Sequence, residues 1–229
     1  ILRCLVGSEM CIRDRSGSRR CRRRSGAADR RHHRGPAYSS GLVSAPAGLL
    51  LTHGAGGGAD HRLLVALEDQ LDLPVRRMEF PYRVEGRKAP DRAPRLIASV
   101  IEEAERYVGD LGCEPDELAF GGRSMGGRIC SMAIAEGLPA AAVVLLSYPL
   151  HPPGKPERLR IEHFPALAVP SLFVNGDRDP FGTPAELAEH IPAIAGPVEV
   201  HWLEGQRHDP KPGFDDEIIE VVGRFLSGL

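Results

Sequence analysis

The stretch from Leu118 to Glu136 constrains this chain more than any other. Leu118-Ala119-Phe120 is an apolar run that passes straight into Gly121-Gly122-Arg123-Ser124-Met125-Gly126-Gly127, and apolar residues then recur at helical spacing from Arg128 until Gly137 closes the pattern. A serine held between small residues at a strand-to-helix turn projects its hydroxyl clear of the backbone, and glycines at 122 and 126 let strand and helix approach closely. Gly-x-Ser-x-Gly is common by itself; the strand before it and the helix after it give it weight. A serine hydroxyl is a weak nucleophile, so a base and a group that orients the base must be sought elsewhere in the chain.

Around this unit, short apolar runs alternate with amphipathic stretches from Pro36 onward, and the predicted class is α/β. Gly48 to Thr52 reads as a buried strand, and His61 to Leu71 as a helix with Leu63, Leu64, Leu67 and Leu71 on one face. Val75 to Phe80 is the next predicted strand, stopped by Pro81, and Arg83 to Asp91 reads as a polar loop. Arg92 to Val108 is predicted helical on the stripe Leu96, Ile97, Val100, Ile101 and Ala104. Ala141 to Ser147, Ser171 to Asn175 and Val198 to Leu203 complete the strands. Helices are expected from Pro184 to His190 and from Phe214 to Leu226. With 229 residues, 42% of them hydrophobic, residues 36–229 are expected to form one domain.

Two late strands end in turns that carry titratable groups. Ser171 to Asn175 is followed by Gly176-Asp177-Arg178-Asp179-Pro180, and Val198 to Leu203 by Glu204-Gly205-Gln206-Arg207-His208-Asp209. His208, on a loop after the last strand, is the histidine placed to reach a serine. His201 lies inside a strand and His163 in a lid-like stretch. Asp177 reads as a turn residue bonding its own backbone.

His53-Gly54-Ala55-Gly56-Gly57-Gly58 follows the first strand and has two readings. In one, the backbone N–H of Ala55 joins that of Met125 as an oxyanion hole. In the other, Gly54-x-Gly56-x-x-Ala59 is a dinucleotide fingerprint with Glu79 near the end of the next strand. The second leaves the serine turn, the Asp turn and the terminal His unexplained, so the first is favoured. No Gly-Lys-[Ser/Thr] follows, which excludes a P-loop.

Five cysteines without CxxC spacing suggest neither a disulfide framework nor a zinc site, and a reducing cytoplasm fits. No metal and no cofactor are expected. No run of eighteen apolar residues occurs, so no membrane partner is expected. The net charge of −2 hides a basic start: residues 1–35 hold eleven arginines against Glu9, Asp14 and Asp29. A nucleic-acid arm is one reading of such a tail. Leu5 to Arg15, however, resembles one translated frame of a transposon sequencing adapter, and is expected to be a sequence artefact. Ser16 to Arg34 lacks the apolar content to offset ordering entropy, so residues 1–35 are expected to be disordered and no nucleic-acid partner is inferred.

Together, LTHGAGGG (51–58), GGRSMGGR (121–128), SYPLHPPGKPE (147–157), LFVNGDRDPFG (172–182) and His208-Asp209 resemble the α/β-hydrolase superfamily, near its dienelactone-hydrolase-like members and the KANL/Tex-type group. The resemblance implies a mostly parallel sheet with helices on both faces and a minimal lid between Ser147 and Pro170. It implies a Ser124–His208–Asp179 triad, because the family's acid follows its serine and precedes its histidine, and Asp179 fits the G-x-x-D-P acid turn better than Asp177. Dienelactone hydrolases use a cysteine where this chain has Ser124, so the implied activity is esterase-like hydrolysis of a carboxylic ester, thioester or related acyl bond, and the minimal lid suggests small or medium acyl substrates. The family's sheet begins with strands ahead of the oxyanion loop that residues 1–45 hardly supply, so a truncated N-terminal side is expected. His53, Tyr148 and His151 are expected at the substrate rim, and Arg83, Arg87, Lys88 and Arg123 are candidates to attract a substrate carboxylate. One group member is a scaffold subunit of a histone-acetylation complex, which makes a non-catalytic scaffold the alternative from another functional class.

Overall fold

The computed structural model describes residues 45–229; the readings made for residues 1–35, and for strands ahead of the oxyanion loop, fall outside them. Among the described residues, β1 (Gly48–Thr52), β2 (Val75–Met78), β3 (Leu118–Arg123), β4 (Ala142–Leu146), β5 (Ser171–Gly176) and β6 (Val198–Leu203) form one sheet in the order β2-β1-β3-β4-β5-β6. Every neighbouring pair is parallel. The helices are α1 (Arg62–Gln70), α2 (Pro81–Val84), α3 (Ala93–Leu111), α4 (Met125–Ala135), α5 (Pro184–His190) and α6 (Asp215–Ser227). None is long and apolar enough to cross a membrane.

Alternation along the strands divides the core in two. Leu50, Phe120, Val143, Leu145 and Phe173 pack with α3 and α4, while Leu49, Leu51, Ala119, Val144, Leu172 and Val174 pack with α1 and α6. Both faces of β1, β3, β4 and β5 are therefore buried, which is why these strands read as unbroken apolar runs. Truncating Phe120 to alanine is expected to cost about 3–5 kcal/mol. β2 and β6 lie at the sheet edges and keep polar residues such as Arg76, Arg77 and Glu199.

From β1 the chain steps outward to β2 and then returns to the other side of β1 as β3. That reversal opens a crevice at the carboxyl ends of β1 and β3, where doubly wound sheets bind ligands. The oxyanion-loop candidate and Ser124 leave from those two strand ends.

The Arg83–Asp91 loop differs from its sequence reading because it begins inside a short helix. Pro81 presets the backbone at the first position of α2. Arg87 then pairs with Glu85 and Asp91, and Arg95 pairs with the same two carboxylates. Arg87 is thus engaged in this surface network and not held free for a substrate carboxylate. The segment between β4 and β5 is a small cap anchored by Tyr148, Leu150, Phe164 and Leu167, all fully buried.

Candidate active site

Ser124 caps α4 in a conformation that few side chains adopt, with φ 53° and ψ −116°. Holding a non-glycine residue there costs on the order of 1–3 kcal/mol and persists only where the surroundings over-determine it. Two close approaches do so. A Cβ on Gly122 or Gly126 would overlap Thr52 Oγ1 at the end of β1, so strand and helix meet here only as glycine. The Ser124 N–H donates to Leu146 O at 2.8 Å, tying the turn to β4.

The structure brings His208 and Asp179 to this serine. His208 Nε2 lies 2.8 Å from Ser124 Oγ, and His208 Nδ1 lies 2.8 Å from Asp179 Oδ2. Asp179 is fully buried, and its other oxygen accepts the Phe181 N–H at 2.9 Å. The Phe181 ring stacks on the imidazole at 3.9 Å between centroids. An ionised carboxylate only accepts, so Nδ1 carries the proton and Nε2 is left bare to accept from the serine hydroxyl. Asp177 lies off this chain of contacts. Its N–H donates to Leu203 O, while its buried Oδ1 has no partner, in contrast to the side-chain-to-backbone turn read from the sequence.

Met125 follows Ser124 directly, and the other residue expected in the oxyanion hole, Ala55, follows Gly54, on which a Cβ would lie 3.6 Å from Ser124 Cβ. Among the described residues neither N–H makes a hydrogen bond, and Met125 opens α4, where the N–H groups of the first turn have no intrahelical partner. The Gly54–Ala55 peptide is held from its carbonyl side, where His53 Nδ1 and the Gly57 N–H both donate to Gly54 O, at 2.8 and 3.1 Å. Tyr82 Oη adds a bond to Ala55 O at 3.1 Å.

This corrects the place given to His53. It is fully buried, its Nε2 accepts the Phe80 N–H at 3.2 Å, and it braces the loop from beneath instead of lining a rim. Glu79 is exposed but lies 2.7 Å from the same nitrogen and accepts the Ala59 N–H, so the carboxylate required by the dinucleotide reading is engaged by the loop itself.

Tyr148 and His151 also leave the rim. Tyr148 is fully buried, its hydroxyl donating to Arg160 O at 2.5 Å, and burial pushes the phenol above its ordinary range. His151 is 5% exposed and donates from Nδ1 to Pro152 O at 2.8 Å. Its Nε2 lies 3.4 Å from Glu186 without hydrogen-bond geometry. In both cases the rim expectation rested on the place of the segment between β4 and β5, and the cap packs over these two side chains.

Arg123 has a different partner from the one expected. Its guanidinium donates to His208 O at 3.3 Å and pairs with Asp209 at 2.9 Å, clamping the histidine loop to the serine turn. Sequence spacing gave no sign of this, because residues 123 and 208 meet only through the sheet. His61 lies alongside, 3.8 Å from Asp209, and burial followed by the Arg123 charge holds its imidazole below the ordinary range. Among the described residues, no group of three His, Cys, Asp or Glu side chains is arranged to hold a metal ion.

A fully parallel sheet with a strained serine at its crevice is the arrangement expected of an α/β hydrolase. Residues 45–218 match the family model described as alpha/beta hydrolase domain, and the chain belongs to that family. Several solved structures share the fold. Est1E from Butyrivibrio proteoclasticus, with ferulic acid bound, is 16% identical, with 80% of this chain and 89% of that chain covered and a TM-score of 0.65. An alpha-beta serine hydrolase homologue from Coxiella burnetii is 19% identical over 81% and 86%, with a TM-score of 0.62. A dienelactone hydrolase from Anabaena variabilis ATCC 29413 is 16% identical over 79% and 85%, also at 0.62. At such identities the likeness is one of fold.

Proposed function

We propose that this hydrolase cleaves carboxylic esters, thioesters or related acyl bonds through an acyl-enzyme on Ser124. The observation that carries the reading is the unbroken line Ser124 Oγ, His208, Asp179, with both links at 2.8 Å. His208 Nε2 takes the hydroxyl proton as Ser124 Oγ attacks the acyl carbonyl carbon. The carbonyl oxygen gains negative charge and is met by the N–H groups of Ala55 and Met125. His208 then returns the proton to the leaving alcohol or thiol as its bond to the acyl carbon breaks. A water, deprotonated by the same nitrogen, releases the acid and restores Ser124. Asp179 fixes the imidazole tautomer and stabilises its protonated form throughout. Ferulic acid in the Est1E structure is itself a carboxylic acid, the product type of such a reaction.

Turnover of a p-nitrophenyl ester panel tests this. The parent protein is expected to hydrolyse at least one member with a burst of nitrophenol, and Ser124→Ala to remove both burst and steady state. Equal turnover by Ser124→Ala would defeat the proposal, and a parent inert towards every member and towards fluorophosphonate would favour a scaffold.

A further inference from the structure

Arg128 stands on α4 one turn beyond Ser124, and with Arg158 and Arg160 of the cap it lines a cavity of about 480 Å³. Elsewhere among the described residues the part-buried arginines find acids: Arg62, Arg76, Arg77, Arg87 and Arg123 each have a carboxylate within 4.0 Å, whereas Arg83, Arg92, Arg178 and Arg207, which have none, are exposed. Among the described residues, Arg128, Arg158 and Arg160 have none. Arg128 Nε is buried without a hydrogen-bond partner. Arg160 is half-buried, and burial together with the Arg128 charge holds its guanidinium below the ordinary range.

Two like charges thus face one another in a partly desolvated place, which is unfavourable until a counter-charge arrives. Their positions are built in. Arg160 is pinned by its own N–H to Leu150 O at 2.9 Å and by the Tyr148 hydroxyl on its carbonyl, and Arg128 is fixed by the helix. His163 beside Arg128 is held down to about 4 by burial and then by that charge, so it is neutral near pH 7 and the arginines supply the positive field. Glu157 and Glu162 also line the cavity and are exposed, as Arg158 is; Glu162 opposes the Arg128 charge at His163 but acts more weakly, and the lining keeps three arginines against two carboxylates.

We propose that this cavity binds an anion of the phosphate class, bridged between Arg128 and Arg160 with Arg158 closing from the solvent side. A single carboxylate satisfies one guanidinium fork, whereas a tetrahedral dianion offers oxygens to two forks at an angle and balances both charges. The anion is either a phosphoryl group carried by the substrate or free phosphate.

Isothermal titration of the Ser124→Ala protein with inorganic phosphate and pyrophosphate, at constant ionic strength, tests the site without turnover, so its outcome is separate from that of the serine mechanism. Saturable binding is expected, weakened about tenfold or more by Arg128→Gln and by Arg160→Gln and unchanged by Arg92→Gln, a surface control. Arg128→Lys, which keeps the charge and loses the fork, is expected to fall between, and thermal melts check that each variant is folded. No saturable binding up to about 10 mM, a concentration at which even a weak millimolar site would fill, overturns the proposal. So does binding that survives both glutamine variants. With active enzyme, phosphate that competes with a phosphorylated acyl ester assigns the site to substrate. Phosphate that instead alters turnover of a neutral ester assigns it to a free effector.

Discussion

Two serines on or beside α4 each meet a histidine at the same distance, and their surroundings make them chemically opposite. Ser124 Oγ and His208 Nε2 are 2.8 Å apart, as are Ser131 Oγ and His163 Nε2. At Ser124 the far nitrogen of the ring faces the buried carboxylate of Asp179, so the near nitrogen is bare and accepts. Ser131 spends its own proton on Arg128 O at 2.9 Å, so His163 must donate from Nε2 instead of accepting. His163 has no carboxylate at Nδ1 among the described residues and sits near a guanidinium, a place hostile to imidazolium. A serine–histidine contact is therefore not by itself a nucleophile; the third group and the local field decide which way the proton lies.

The largest effect should separate the two serines outright. Ser124→Ala is expected to lower kcat for an activated ester by about 10³-fold or more, while Ser131→Ala stays within a few-fold. Asp179→Asn should make the first pair behave like the second. With the tautomer no longer enforced, kcat is expected to fall by about 10³- to 10⁴-fold while far-UV circular dichroism is unchanged.

Smaller effects follow from the groups that aim the first pair. Arg123→Met frees the His208 loop, and kcat should drop about 10- to 100-fold with KM little changed, Arg123→Lys recovering part of it. Tyr82→Phe removes the brace on Ala55 O and is expected to cost about two- to tenfold in kcat, the worth of one modest hydrogen bond.

The second pair should show itself in stability. His163 is held near 4 in the folded protein against 6.5 when unfolded, so below pH 6.5 the unfolded chain binds the proton first. Stability is lost as pH falls from about 6.5 to about 4 and levels off below that; His61, lowered in the same direction, adds to it. Urea titrations of His163→Gln should show a slope shallower by on the order of 1–2 kcal/mol across that window, after discounting for partial exposure.

The buried strands were legible because both of their faces are apolar, and β1, α5 and β6 fall at the residues read from the alternation and the proline signals. Ser124, Asp179 and His208 meet because each follows a strand end, and parallel strands deliver their carboxyl ends to one rim; the strand end alone did not separate Asp179 from Asp177, which the family resemblance did. What stayed hidden was set by contacts between distant segments. His53 and Tyr148 are polar-tipped residues just past strand ends, and nothing local distinguishes a rim from the underside of a cap. Arg123 looked like free charge because its partners lie beyond β5 and β6. α2 was missed because four residues starting at Pro81 are too few for a periodic signal.

The most direct test is to treat the whole protein with a fluorophosphonate and map the adduct by mass spectrometry. The account predicts one modified peptide carrying the adduct on Ser124, with Ser131 untouched, and no modification in His208→Ala. Modification of Ser131 in place of Ser124, or a Ser124 adduct that forms equally fast without the imidazole of residue 208, would contradict it.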